Sequence, residues 1–367
     1  MPQNAEPVEW NRDVERQQFH SNPDKSAGRH LPRGTNPVEY SRMPFLSAMN
    51  ILLARYLPAL VAGACSVCSL AAQGGLDFPR MGGPYPGDRS GTRIWIEGGG
   101  WVDEATVKSA RETASHSTGT PDWSNPREFG YDVFTFARAI FRSERRVPRR
   151  GPVFGWFVDY PDADLNLSYR LQQLTSMKVD PDGRVLHLTD PELSDFPLIY
   201  MVHTEDMLLR EDEVSALRNY LLAGGALLVS DYWGTDAWNN FAAEMRRVLP
   251  EKSWVDIPMD HPVFSCIYKI SGPMNELQIP TLQYWIRSHD PKDPNSRITV
   301  DRGIGSENVS VRALLDERGR IMVLSVHNSD ISDGWEREGE NADYFRELSE
   351  KRAYPLAINL IFYLMTH

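Results

Sequence analysis

The sequence is poor in cysteine and has no surplus of positive charge, and each shortage removes a class of protein. Cys65, Cys68 and Cys266 are the three cysteines in 367 residues. Cys65 and Cys68 have C-x-x-C spacing, but they lie in a nearly uncharged apolar segment with no second ligand pair, which argues against a zinc or redox site. Lys and Arg total 39 against 50 Asp and Glu, a formal net charge of -11. An acidic chain repels phosphate backbones, so nucleic acid is not an expected partner. The one compact basic cluster, Arg142, Arg145, Arg146, Arg149 and Arg150, reads as a solvated helix end and linker. Also missing are a G-x-G-x-x-G after a strand, a Walker lysine, a G-x-S-x-G elbow and an H-E-x-x-H pair. No cofactor is implied by motif.

What is present is organised around Phe196 to Trp233, FPLIYMVHTEDMLLREDEVSALRNYLLAGGALLVSDYW. Leu198 to Val202 is an apolar run of strand length. Glu211, Asp212 and Glu213 then crowd the first turn of a helix, where negative charge complements the helix dipole. Val214, Leu217 and Leu221 give that helix an apolar stripe, and Gly224-Gly225 end it. Ala226 to Val229 is a second apolar strand. A strand–helix–strand unit with apolar strands implies a parallel sheet buried on both faces.

Around this unit the expected organisation has four parts. Residues 1–42 are polar and proline-rich and are expected to be disordered. Residues 43–73 read as a secretory signal: Met49 to Arg55 is a short basic region, Tyr56 to Ala72 an apolar core, and Ser69-Leu70-Ala71-Ala72 offers small residues for cleavage. An exported protein follows from that, periplasmic or extracellular, with a membrane anchor at residues 49–72 as the alternative. Residues 74–130 are a Gly- and Pro-rich linker, with a short strand at Arg93 to Ile96. Residues 131–367 form the α/β domain.

Within that domain, Tyr131 to Arg145 has apolar residues at helical spacing. Val153 to Val158 reads as the first strand, Leu165 to Thr175 as a helix, and Val185 to Leu188 as the second strand. Leu198–Val202 and Ala226–Val229 are the third and fourth, in spatial order 2-1-3-4 with right-handed crossovers. Thr235 or Asp236 caps the next helix. An insertion after Pro250 includes a strand from Val263 to Ile270, with Cys266 in the core. Val309 to Leu315 and Ile321 to Val326 flank the turn Asp316-Glu317-Arg318-Gly319 as a hairpin beyond strand four. Glu340 to Lys351 and Tyr354 to Met365 are helices, the last one buried.

Ligands of open α/β sheets collect beyond the carboxyl ends of the strands. Those ends carry Asp159-Tyr160, Asp190, His203-x-Glu205-Asp206, Asp231-Tyr232-Trp233 and His327-Asn328-x-Asp330. Asp231, His327 and Asp330 are the candidate catalytic residues, with Asp231 and His327 as an acid–base or metal-binding pair. Asp159, Tyr160, His203, Glu205, Tyr232, Trp233, His261, Asn328 and Trp335 are candidate binding residues. The stretch HNSDISDGWEREGE is densest in chemistry, and Asp333, Glu336 and Glu338 join His327 and Asp330 there as potential ligands or acid–base groups. The structural reading stands beside it: Asn328 and Asp330 shape a turn, and Trp335 plugs the loop onto the body. The turn DYPDADLN has no glycine with which to cradle a phosphate, and Asp162, Asp164 and Asn166 read as a helix start.

The stretches WFVDYPDADLNLSYRLQQLTSM, DFPLIYMVHTE, LRNYLLAGGALLVSDYWG, DHPVF, VHNSDISDGWEREGE and YFRELSEKRAYPLAINLIFYLMTH occur in that order from about Phe134 to the C-terminus. Together they resemble the bacterial family catalogued as domain of unknown function 4159. That resemblance implies a three-layer α/β/α fold of the flavodoxin-like, class I glutamine-amidotransferase-like kind. In amidotransferases a cysteine occupies the elbow that this chain fills with Ser230-Asp231-Tyr232, so thiol chemistry is not implied. Two functions remain: a non-catalytic domain binding an unknown small ligand or envelope protein, or a hydrolase using Asp and His at the strand ends.

Overall fold

A computed structural model describes residues 93–95, 100–130, 132–142, 155–293 and 296–367. The expected disorder of residues 1–42, the signal at 43–73, the Cys65–Cys68 pair and most of the basic cluster lie outside the described residues. Among the described residues, no helix is long and apolar enough to cross a membrane.

The centre of the domain is a seven-stranded sheet. In chain order the strands are β3 (Ala137–Ile140), β4 (Arg184–His187), β5 (Leu198–Val202), β6 (Ala226–Ser230), β7 (Trp254–Asp256), β8 (Ser310–Leu315) and β9 (Ile321–His327). A separate antiparallel pair, β1 (Arg93–Trp95) and β2 (Trp101–Asp103), precedes them. The spatial order is β4-β3-β5-β6-β9-β8-β7. The five strands from β4 to β9 run parallel, while β8 and β7 close one side antiparallel. The long helices are α1 (Asp162–Leu174), α2 (Glu211–Leu222), α3 (Gly234–Val248) and α4 (Tyr354–Thr366).

Two apolar cores result, one on each face. Leu167, Tyr200, Leu228, Leu324 and Ile358 belong to one; Leu186, Met201, Leu217, Val229 and Phe241 belong to the other. Alternate residues of β5 and β6 therefore point to opposite layers, so every residue of both strands is buried.

Three expected elements are corrected. The first strand is Ala137–Ile140, inside the segment expected to be a helix. Its alternation places an arginine, Arg138, in the middle of the sheet, fully buried. That charge hides the strand pattern, and it is tolerated because Asp164 on α1 pairs with it: Arg138 Nε donates to Asp164 Oδ1 and Oδ2 at 3.0 and 2.9 Å.

Val153 to Val158 is not that strand. Residues 155–161 are turns, and 153–154 lie outside the described residues. Trp156, Phe157 and Val158 are buried, so the apolar run is real. Its carbonyls, however, take an arginine instead of a neighbouring strand: Arg138 Nη1 donates to the Trp156 and Val158 carbonyls, both at 2.9 Å. The expected order 2-1-3-4 describes the sheet once Ala137–Ile140 stands in the first strand's place.

Val263 to Ile270 is not a strand either. Pro262–Phe264 forms a short helical turn, after which Ile267 and Tyr268 donate their amides to Asn359 Oδ1 on α4 at 3.1 and 2.7 Å. A helix side chain thus replaces the strand partner, and Cys266 is exposed instead of core. Near the C-terminus the helix Ala342–Tyr344 opens into a π-helical stretch, Phe345–Ala353, before α4. Pro355 has no N–H to return to the preceding turn there.

Candidate functional site

Three parallel strands end in the same unusual way. The residue after β5 is His203 (φ 52°), after β6 Asp231 (φ 51°) and after β9 Asn328 (φ 62°). Asp159 (φ 62°), in the turn before α1, completes the set of non-glycine residues at positive φ among the described residues. Left-handed backbone is unfavourable for side chains, and such residues persist where surrounding structure holds them. Here the elbows hold one another: His203 N donates to the Asp231 carbonyl (3.0 Å), Asp231 N to the Ser329 carbonyl (2.9 Å), and Asn328 N to the Tyr232 carbonyl (3.1 Å). The parallel ladder thus continues from loop to loop past the strand ends.

Their side chains converge on one ionic corner. His203 Nε2 lies 2.7 Å from Asp231 Oδ2, and Nδ1 lies 2.9 Å from Glu205 Oε1. Coulomb attraction and a side-chain hydrogen bond both join His203 to Asp231. Trp233 Nε1 donates to Asp231 Oδ1 at 3.0 Å. Arg302 Nη2 approaches Glu205 and Asp231 at 3.5 and 3.9 Å. The Arg302 loop is pinned by close approach to α3: Thr235 N donates to the Ile304 carbonyl at 2.8 Å, and a Cβ at Gly234 would sit 3.0 Å from that oxygen. Burial disfavours the His203 charge, but Asp231 and Glu205 outweigh it and lift the ring to about 10. Burial likewise opposes ionisation of Asp231, and His203 overcomes it, leaving the carboxyl at about 2.

A second corner is built from the turn before α1 and the loop after β9. One oxygen each from Asp159, Asp330 and Asp333 lies within 4.8 Å of the others, and all three residues are buried. Asp330 Oδ1 accepts from Ser332 Oγ (3.1 Å) and Asp333 N (2.8 Å). Asp333 Oδ2 accepts from Leu282 N (2.6 Å) and the Tyr344 hydroxyl (3.0 Å), and Oδ1 faces Arg337 Nε at 3.3 Å. Asp159 Oδ2 is buried with no hydrogen-bond partner. Burial and the neighbouring carboxylates push Asp330 well above the usual range. Burial raises Asp333 to about 6 against the pull of Arg337, and burial with Asp231 raises Asp159. Glu336, raised by burial against Arg337, sits beside Arg337 Nε (2.8 Å) and His116 Nδ1 (3.2 Å).

Asp231, Asp159, His203, Glu205 and Asp330 therefore belong to one edge of the sheet, as do Asp333 and Glu336. His327 makes its contacts elsewhere. Its Nε2 bonds the Gly234 carbonyl at 2.9 Å and its ring packs on Tyr232 and Trp238, while burial lowers it to about 4. The histidine that meets Asp231 is His203. Tyr160 bonds Ser109 and Thr113, and Tyr232 bonds Ser325, both inside the core. Asn328 shapes its turn by accepting from Gly234 N and donating to Gly305 and Asn308. Trp335 packs its ring on Phe136 and Tyr200. His261 caps Val263 and packs on Tyr363. Asp190 closes a local turn onto His187 N, and Glu338 binds Arg170 and Tyr354. A cavity of about 550 Å³ lies at the opposite, amino edge, against Phe134, Lys178, Phe196 and Met365, and its carboxylates are Asp132, Asp180 and Asp195, none of them from the two corners.

Sequence reading missed Arg138, Arg302, Arg337 and His116. Arg337 stands next to Glu336 in the densest stretch, which was a usable signal. His116 and Arg302 sit in segments without any period or motif.

The fold and site define an α/β domain whose parallel strands deliver a buried, carboxylate-rich ionic centre at their carboxyl edge. The chain belongs to the family described as domain of unknown function (DUF4159), whose model matches residues 153–365, more than half of its length. No curated protein matches it.

Proposed function

We propose that this is an exported, non-catalytic domain that binds a ligand or an envelope partner at the carboxyl edge of a flavodoxin-like, amidotransferase-like sheet. The observation that carries this is the state of the elbow after β6. Where an amidotransferase-like enzyme needs a free nucleophile, Asp231 is held between His203 and Trp233. His203 is caught between two carboxylates that raise it to about 10, and Arg302 Nη2 lies 3.1 Å from its Nε2, so both ring nitrogens are engaged inside the corner, which favours a structural over a general-base role. His327 supplies no substitute beside Asp231, because its ring lies against Gly234, Tyr232 and Trp238 and not against that carboxylate. The strand order β4-β3-β5-β6-β9 supports the fold assignment, since doubly wound sheets of this type run 2-1-3-4-5. Export is supported by the basic-then-apolar Met49 to Ala72.

Two measurements test the reading. Purified protein is assayed against ester, amide, phosphoester and glycoside panels, and no turnover is expected. Turnover that disappears in a folded Asp231→Asn variant would overturn the non-catalytic assignment. Intact mass of the mature protein should place its N-terminus near Ala72 or Gln73. A soluble cytoplasmic product retaining Tyr56 to Leu70 would overturn export.

A further inference from the structure

We propose that Asp159, Asp330 and Asp333 form a binding site for a hard divalent cation, with calcium as the ion tested. The inference deepens the binding reading by naming one ligand, yet it stands on separate geometry. Three oxygens from two distant segments of chain lie within 4.8 Å of one another. Oxygens bound to one hard cation at about 2.1–2.6 Å stand no more than about 5 Å apart, so this spacing admits a single ion. The donor set holds no histidine or thiol, which favours calcium, magnesium or manganese over zinc and copper.

A cluster of acids alone would not justify a site. The second observation is one oxygen of the 4% exposed Asp159 carboxylate, Oδ2, which has no hydrogen-bond partner among the described residues. Buried acceptors are normally satisfied, so an orphan beside two further carboxylates marks the place of a missing positive partner. The other two ligands are already oriented: Asp330 by Ser332 and its own loop amide, Asp333 by Leu282 N, Tyr344 and Arg337. Asp330 Oδ1 and Asp333 Oδ2 already take two donors each, so the oxygens left for an ion are Asp330 Oδ2 and Asp333 Oδ1, and outer partners of this kind fix ligand geometry. Charge points the same way. Asp159, Asp231, Asp330, Asp333 and Glu336 face Arg302, Arg337 and His203, so carboxylates exceed cations in a buried space.

The test uses the full chain after chelator treatment and gel filtration. Terbium(III) is the probe, because Tyr344 bonds Asp333 and Trp335 lies two residues on, close enough to sensitise its emission. Sensitised emission that calcium competes away, with one calcium retained per chain by elemental analysis, is the expected result. Asp159→Asn and Asp330→Asn should weaken calcium by about ten-fold or more, while Asp190→Asn leaves it unchanged. Absence of both emission and retained calcium in folded wild-type protein overturns the site, as does calcium binding unaltered in both Asn variants. The wild-type measurement stands even where a variant fails to fold. A calcium-loaded chain that shows turnover would remove the non-catalytic reading and leave the cation site in place.

Discussion

Two ionic corners share the carboxyl edge of one sheet, and they solve the burial of charge in opposite ways. Around His203, each carboxylate has a cation within contact distance: Asp231 and Glu205 take the two ring nitrogens, and Arg302 lies against both acids. Around Asp330, acids face acids, and Arg337 is shared among Asp333, Glu336 and Glu340. Burial by itself raises a carboxyl and lowers a histidine, so company decides the outcome. Asp231 falls to about 2 while Asp333, equally buried, rises to about 6. In the first corner each carboxylate lies against a cation. The second has an excess of negative charge that only a proton or a cation can remove.

The sharpest way to break this comparison is Asp231→Asn. The substitution leaves His203 charged, 3% exposed and short of its principal partner. Removing one member of a buried pair costs roughly 3–5 kcal/mol, and denaturant midpoints should fall accordingly with an unchanged slope. The pair also sets a pH window. His203, raised from 6.5 to about 10, stabilises the fold fully below 6.5, and that contribution is lost as pH rises towards 10. An Asp231→Asn midpoint equal to wild type would mean the corner is not held by charge at all.

A second histidine on the neighbouring strand sharpens the point. His327 has no carboxylate in contact; its ring meets Tyr232, Trp238, Ser310 and a carbonyl. With nothing to offset burial it drops from 6.5 to about 4. Above pH 6.5 it is neutral folded or unfolded and contributes no pH dependence. Below that, the unfolded chain takes the proton first, so stability falls between pH 6.5 and 4 by about 3 kcal/mol. The acid limb of wild type minus that of His327→Gln should recover this difference. Identical limbs would show that His327 charges freely in the fold.

How far the site was legible follows from which residues carry a sequence signal. The runs Leu198–Val202 and Ala226–Val229 announce central strands because both faces are apolar, and the Asp316–Gly319 turn announces its hairpin. Strand β3 was hidden by Arg138, since a charge inside a strand looks like a helix surface until Asp164 is seen across from it. Val153–Val158 misled for the complementary reason: apolar side chains report burial, but only hydrogen bonds distinguish a strand from a buried turn. The strand-end rule put His203, Asp231 and Asp330 after strands that exist, whereas Asp159 follows a buried turn and not the strand expected there, and reaches the same edge from the turn before α1. It could not choose His203 over His327 as the partner of Asp231, because both follow apolar strands. Positive φ at the elbows decides where those side chains point; Asp, His and Asn are the non-glycine types that adopt it most readily, but residue type alone does not say which of the chain's many such residues do.

The smallest expected effect has the opposite sign to the first. Asp330→Asn, measured with a chelator present, keeps the Oδ1 acceptor for Ser332 Oγ and Asp333 N while deleting a charge that faces Asp159, Asp231 and Asp333. Relief of like-charge crowding is worth about 1.4 kcal/mol for each unit by which those neighbours had raised the carboxyl. The variant should therefore be no less stable than wild type at neutral pH. Calcium should then reverse the ranking, since it stabilises only the chain that retains its ligands, by an amount set by concentration over dissociation constant. Thermal midpoints of both proteins with and without calcium give all four corners of that cycle. If Asp330→Asn loses stability in chelator as Asp231→Asn does, the second corner is a satisfied structural network like the first, and the contrast between them fails.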